Sequence, residues 1–118
     1  MSGFSSKRLK KAEIDILVRA KLDWILAAST PVKVILFGSA ANYEMHESSD
    51  IDIIVIFHDH TTLAAQKKTL YSQRPKDDWP HDLLLMTTDE FEASVSRGGG
   101  AIYTAHKEGR IIYTKECG

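Results

Sequence analysis

The sequence predicts an α/β fold: one small mixed sheet of about four strands, flanked by helices. Three observations carry this expectation. Segments with apolar residues at helical spacing alternate with short β-branched runs. Glycine, proline or a capping residue stands at most changes of period. The chain has 118 residues, the size of a single domain with one core.

The elements follow in order. From Lys11 to Ala28 the residues Ile14, Leu17, Val18, Leu22, Ile25 and Leu26 recur at helical spacing, with lysines and aspartates opposite. Thr30-Pro31 ends that helix, because a residue before proline avoids the α region. Val32 to Phe37 is apolar and β-branched and reads as a strand, broken by Gly38-Ser39. Residues 40–45 form a short helix or turn. Ile51 to Phe57 is apolar on both faces after Asp52, as in a central, covered strand. Asp59 or Thr61 caps a helix to about Ser72, and the proline-containing stretch 73–80 is a loop. His81 to Met86 is a third strand. Thr87 and Glu90 have capping-box spacing and open a helix to about Val95. After Gly98-Gly99-Gly100 a helix runs from Ala101 to Glu108, with Gly109 as its stop. Arg110 to Thr114 is a fourth strand. Residues 1–6 read as a tail.

Composition narrows the class. Apolar residues make up 43% and charged residues 26%, which argues against intrinsic disorder. The longest apolar run, Ile53 to Phe57, is far below the roughly 20 residues of a membrane helix. The charged N-terminus lacks the apolar stretch of a signal peptide. Cys117 is the sole cysteine, so neither an internal disulfide nor a cysteine zinc site is expected, and a cytoplasmic location fits. With 15 Lys and Arg against 16 Asp and Glu, the net charge of -1 argues against a dedicated nucleic-acid binder.

The chemistry-bearing segment is Ile35-Leu36-Phe37-Gly38-Ser39, then ten residues, then Asp50-Ile51-Asp52. Glycine allows a sharp turn on leaving a strand. Ser39 then lies at the start of a helical turn, where a hydroxyl and free N–H groups can hold an anion. Asp50 and Asp52 are two apart, so on a strand they share a face, with Cα atoms about 6.6 Å apart. Two such carboxylates repel unless a cation lies between them. Oxygen donors of this kind suit Mg²⁺, which takes one or two carboxylates plus phosphate oxygens. Asp82, near the start of the third strand, would complete a triad able to hold two metals for in-line phosphoryl displacement. A phosphate-holding turn beside such a triad implies a nucleoside triphosphate.

This segment resembles the signature of the DNA polymerase β-like nucleotidyltransferases: a strand ending in Gly-Ser, then Asp-x-Asp opening the next strand. The small size makes the chain most similar to the minimal nucleotidyltransferases of prokaryotes, over about Val32 to Thr114. The closing unit from His106 to Tyr113 is included. By chance a Gly-Ser and an Asp-x-Asp at this spacing arise in on the order of 1 in 100 chains, so the motif is specific. The resemblance implies that Gly38 and Ser39 bind the triphosphate, that Asp50 and Asp52 hold Mg²⁺, and that Asp82 completes the catalytic site. It implies transfer of a nucleoside monophosphate, AMP from ATP being the expected case, onto a hydroxyl with release of pyrophosphate. It also implies a helical HEPN-domain partner, because many minimal members are antitoxins of HEPN-type toxins and some add AMP to a toxin tyrosine. One departure stands out. Members often carry basic residues and a glycine just after Gly-Ser, where this chain has Ala40, Asn42 and Tyr43.

A binding module that neutralises its partner without chemistry is the alternative, supported by those missing basic residues. A nucleic-acid-modifying enzyme is a third reading, disfavoured by the near-neutral charge. About 80 residues are committed to the sheet and its catalytic loops, so the acceptor surface is expected to be borrowed from a partner. Base preference and oligomeric state, including a homo-oligomer, stay open.

Each residue also has a plainer reading. Asp50 and Asp52 could be a solvated turn, Asp82 a strand-end acid, and Ser39 a helix cap, which is compatible with phosphate contact. His58-Asp59-His60 has metal-ligand spacing but reads as loop and cap. His81 would point away from Asp82 and is given no role. Lys7, Arg8, Lys10 and Lys11 read as a solvated helix start. Trp24 and Trp79 are core or interface, Gly98 to Gly100 a site loop or a connector, and nothing singles out Tyr43 or Tyr71 as a modification acceptor.

Overall fold

The computed structural model describes residues 8–75 and 79–115; the tail at 1–6, Lys7 and Cys117 lie outside the described residues. The elements are α1 (Lys11–Ala28), β1 (Lys33–Phe37), a 3₁₀ turn (Gly38–Ala40), β2 (Ile51–Phe57), α2 (His60–Ser72), β3 (His81–Thr87), α3 (Thr88–Arg97), α4 (Gly100–Glu108) and β4 (Arg110–Thr114). The strand order is β3-β2-β1-β4. β1 pairs antiparallel with β2 and with β4, whereas β2 pairs parallel with β3. The sheet is therefore mixed and four-stranded, as the sequence predicts.

Local chemistry sets the boundaries. The Glu13 carboxylate accepts from the Lys10 N–H at 2.8 Å, closing the first turn of α1. The helix ends where the Ser29 hydroxyl donates to the Ile25 carbonyl at 2.6 Å. Asp59 caps α2 by accepting from the Thr62 N–H at 2.8 Å. Those backbone bonds favour the ionised form and hold the Asp59 carboxyl below its ordinary value. Thr87 and Glu90 form the reciprocal capping box at the start of α3. α3 runs two residues past the expected end, to Arg97, and Gly98 stops it at φ 73°. The 3₁₀ turn begins at Gly38, two residues before the expected helix or turn.

β2 is the spine of the sheet. Ile51, Ile53, Val55 and Phe57 face one way, into a core with Ile14, Val18, Leu22, Trp24 and Ile25 of α1 and Leu70 of α2. Ile54 and Ile56 face the other way, with Ile35, Phe91 of α3 and Ala105 of α4. Burying each such side chain contributes ~1.5–3 kcal/mol, so β2 is fixed by packing on both faces.

Gly109 stops α4 as expected, its N–H donating to the Ala105 carbonyl, but its φ of -80° is not the left-handed conformation of a glycine cap. It is glycine because the backbone is crowded: a Cβ there would collide with the Ala105 carbonyl oxygen and stand 2.8 Å from that of Leu36. The glycine lets α4 turn directly into β4 against β1. Gly109→Ala is expected to destabilise the fold by about 1–3 kcal/mol. Urea unfolding of the two proteins measures the difference, and equal midpoints would refute the crowding argument.

Candidate active site

The acids are brought together by strand register. Asp52 of β2 lies directly beside Asp82 of β3 in the parallel pair, at a strand spacing of about 4.8 Å. By alternation both share the face of Ile54 and Leu84, toward α3 and α4. Asp50 precedes β2 by one residue, so it is outside the ladder, and both Asp50 and Asp82 are exposed. Asp52 is half-buried. Its carboxyl is pushed above the ordinary value first by burial, then by the negative charges of Asp82 and Asp50.

Five contacts hold the starts of the two acid-bearing strands. The Trp79 Nε1–H donates to the Ser49 carbonyl at 2.7 Å. The Ile51 N–H donates to the Pro80 carbonyl at 3.0 Å. Buried Lys21 of α1 donates to the Trp79 carbonyl and lies 2.7 Å from His81 Nδ1. The His81 ring rests on Trp24, with centroids 5.0 Å apart. His81 thus points away from Asp82, as alternation requires, and supports the strand start from behind. Trp24 is core, with its Nε1–H donating to the Leu70 carbonyl at 3.0 Å. Trp79 and Lys21 are the supports that sequence reasoning misses; a lysine among α1 apolar positions is the one signal that could have flagged them.

The Gly-Ser turn is the next wall. Gly38 has φ 73°, a left-handed value that penalises any side chain. A Cβ there would stand 2.5 Å from Asp52 Oδ2. Glycine at 38 therefore leaves room for the half-buried carboxylate as well as for the bend. Phe37 lies opposite Asp52 in the β1–β2 pair, so the turn starts beside that acid. The residue before the 3₁₀ turn is Phe37, so Ser39 is not its cap. The Ser39 carbonyl accepts from the N–H groups of Asn42 (3.3 Å) and Glu44 (2.8 Å). A cleft of ≈ 260 Å³ opens beside Gly38, lined by Phe37, Asn42, Thr104 and Glu108. A larger cleft of ≈ 450 Å³, between Lys33 and α3, contains none of the three acids.

Among the described residues no three His, Cys, Asp or Glu side chains are gathered closely enough to hold a metal ion by themselves. What the site offers is an open set of oxygen donors around one strained carboxylate. Such a set fits a hard divalent cation that completes its shell with phosphate oxygens and water. His58-Asp59-His60 is loop and cap: Asp59 caps α2 and His60 Nε2 lies 3.6 Å from Glu90 Oε2. Gly98, Gly99 and Gly100 all have left-handed φ, with open space where a Cβ would lie. Among the described residues no helix is long and apolar enough to cross a membrane.

The raised Asp52 value gives a signed expectation. A carboxyl raised in the folded state keeps its proton where the unfolded chain has lost it. Its stabilisation is full below the ordinary carboxylate value of 3.8 and is lost as pH rises through the folded value. At neutral pH the ionised group then opposes folding. Asp52→Asn is expected to raise the thermal midpoint of metal-free protein at pH 7 by about 1–4 °C, with a smaller gain at pH 3. Thermal unfolding at both pH values checks this; a lower midpoint at pH 7 would contradict it.

Comparisons with known proteins bear on the family and the fold. The family model described as polymerase beta, nucleotidyltransferase matches residues 20–117. A candidate nucleotidyltransferase from Sulfolobus solfataricus, solved at 1.40 Å, superposes with a TM-score of 0.56 over 97% of this chain and 94% of its own. At 16% identity that likeness speaks to the fold. The search of curated protein sequences gives no match. The family model covers 98 of the 118 residues, counting 20 through 117, and the chain belongs to the polymerase beta nucleotidyltransferase family.

Proposed function

We propose that this protein transfers a nucleoside monophosphate, in the first instance AMP from ATP, to a hydroxyl of a partner protein in a Mg²⁺-dependent reaction. The observation that carries this reading is the lateral pairing of Asp52 with Asp82, with the Asp52 carboxylate filling the space that a side chain at Gly38 would take. A triphosphate turn and a pair of acids then meet at one strand end.

Asp50 and Asp52 would hold a divalent cation, with Asp82 completing its oxygen donors, and a cation bound there would supply positive charge against the triphosphate and the α-phosphorus centre. Gly38 lets the backbone approach the β- and γ-phosphates, and the Ser39 hydroxyl donates to them. Asp82, exposed on the edge strand, faces an incoming acceptor and takes its proton. The acceptor oxygen bonds to the α-phosphorus as the bond from that phosphorus to the bridging oxygen breaks. Pyrophosphate leaves with the electron pair, and the proton passes from Asp82 to solvent. Pre-aligning acceptor and phosphorus within about 3.5 Å is the main task left to the protein.

In this reading the acceptor hydroxyl belongs to another body. A HEPN-domain toxin, with this chain as its antitoxin, is the partner we propose, in the reducing cytoplasm. A second reading is a partner-binding module with weak or no catalysis. The turn after Ser39 favours it, because Ala40, Asn42 and Tyr43 bring no cation of their own.

The test is pyrophosphate release from ATP with Mg²⁺ and a HEPN-domain partner, with intact mass of the partner read in parallel. The partner is expected to gain the mass of one or more AMP groups. Asp50→Asn or Asp52→Asn is expected to slow transfer about 100-fold or more, from loss of about 3 kcal/mol of transition-state stabilisation. An unmodified partner that is neutralised equally by wild type and Asp50→Asn would replace the enzyme reading with the binding module.

A further inference from the structure

We infer that Arg110 of β4 is a positioning residue for the Gly-Ser turn, acting through Tyr43; the inference rests on the triphosphate-binding reading of that turn. Tyr43 is the one residue other than glycine with positive φ among the described residues, at 58°. An aromatic residue in that conformation is costly and persists only where surrounding contacts fix it. Those contacts are present. The Tyr43 hydroxyl donates to Asp15 Oδ1 of α1 at 2.8 Å. Lys11 Nζ lies 4.8 Å from the ring centroid, and the Arg110 guanidinium carbon lies 4.6 Å from it.

Arg110 also reaches the turn directly. Its Nε–H donates to the Ala41 carbonyl at 3.2 Å. The Ala41 N–H in turn donates to the Gly38 carbonyl at 3.1 Å, and the amides of Asn42 and Glu44 converge on the Ser39 carbonyl. One guanidinium therefore holds the turn at Ala41 and Tyr43, and the amides of Ala41, Asn42 and Glu44 pass that hold to the carbonyls of Gly38 and Ser39. Its planar fork suits this dual role: one edge donates while the face stacks. β4 itself is registered on β1, with Arg110 beside Leu36, two residues before Gly38. The chain has no cation at positions 40, 42 or 43, and Arg110 brings one to the same turn from β4.

The experiment uses the full chain with Arg110→Met and Arg110→Lys. Amide hydrogen exchange is read at Asn42 and Glu44, and binding of Mg²⁺-tripolyphosphate is read by calorimetry. Losing a charged hydrogen bond is expected to speed exchange at both amides roughly tenfold and to weaken tripolyphosphate roughly tenfold. Arg110→Lys is expected to restore less than half of either effect, because an ammonium keeps the charge but not the fork. The thermal midpoint should stay within about 4 °C of wild type, and exchange in β2 should not change. Unchanged exchange at Asn42 and Glu44 in Arg110→Met would overturn the inference. So would faster exchange with unchanged tripolyphosphate affinity, which would leave Arg110 a structural contact only. Wild-type protein that binds no tripolyphosphate would fail at the earlier step and refute the triphosphate reading itself.

Discussion

The parallel pairing of β2 with β3, with Asp52 set beside Asp82, is the constraint on which the site depends. Parallel neighbours need a crossover, and α2 supplies it. The register cannot slip by one residue. A slip of β2 would turn the Asp52 carboxylate into the core formed with α1, where Ile51, Ile53, Val55 and Phe57 are now fully buried. The hydrophobic pattern of β2 therefore fixes the position of a polar pair at its mouth. Fold stability and charge placement are set by the same seven residues.

That placement works against stability in the metal-free state. Burial and two neighbouring carboxylates disfavour the ionised form of Asp52. The cost is sustained by the apolar spine of β2 and by the supports behind the strand starts: Lys21, Trp79 and the His81–Trp24 stack. In the proposed reading, a divalent cation bound at these carboxylates would relieve this repulsion.

Much of this was legible in the sequence. The span of α1, the bounds of β2, the capping residue Asp59 and the Thr87–Glu90 box rest on local chemistry and appear in the structure as read. Gly38, Ser39, Asp50, Asp52 and Asp82 could be singled out because their spacing is short and their types are restrictive. The parallel register that seats Asp52 against Asp82 was not legible, because it is a long-range pairing. Nor was the second reason for Gly38, the Asp52 carboxylate filling the space of a side chain. Gly109 reads locally as a helix stop, yet its cause is the close approach of β1. Lys21 reads as one of the solvated lysines of α1 because its partner is 58 residues away, and the bond from Arg110 to Ala41 spans 69 residues.

The central claim is that a divalent cation is held at the mouth of β2 and β3 by these carboxylates. Paramagnetic broadening of backbone amide signals by substoichiometric Mn²⁺ tests it most directly. The amides of Gly38, Ile51 to Ile53 and His81 to Leu83 are expected to broaden first, and excess Mg²⁺ is expected to restore them. Broadening centred elsewhere, on Glu108 or Glu92 for instance, or spread evenly over the acidic surface, would contradict the account.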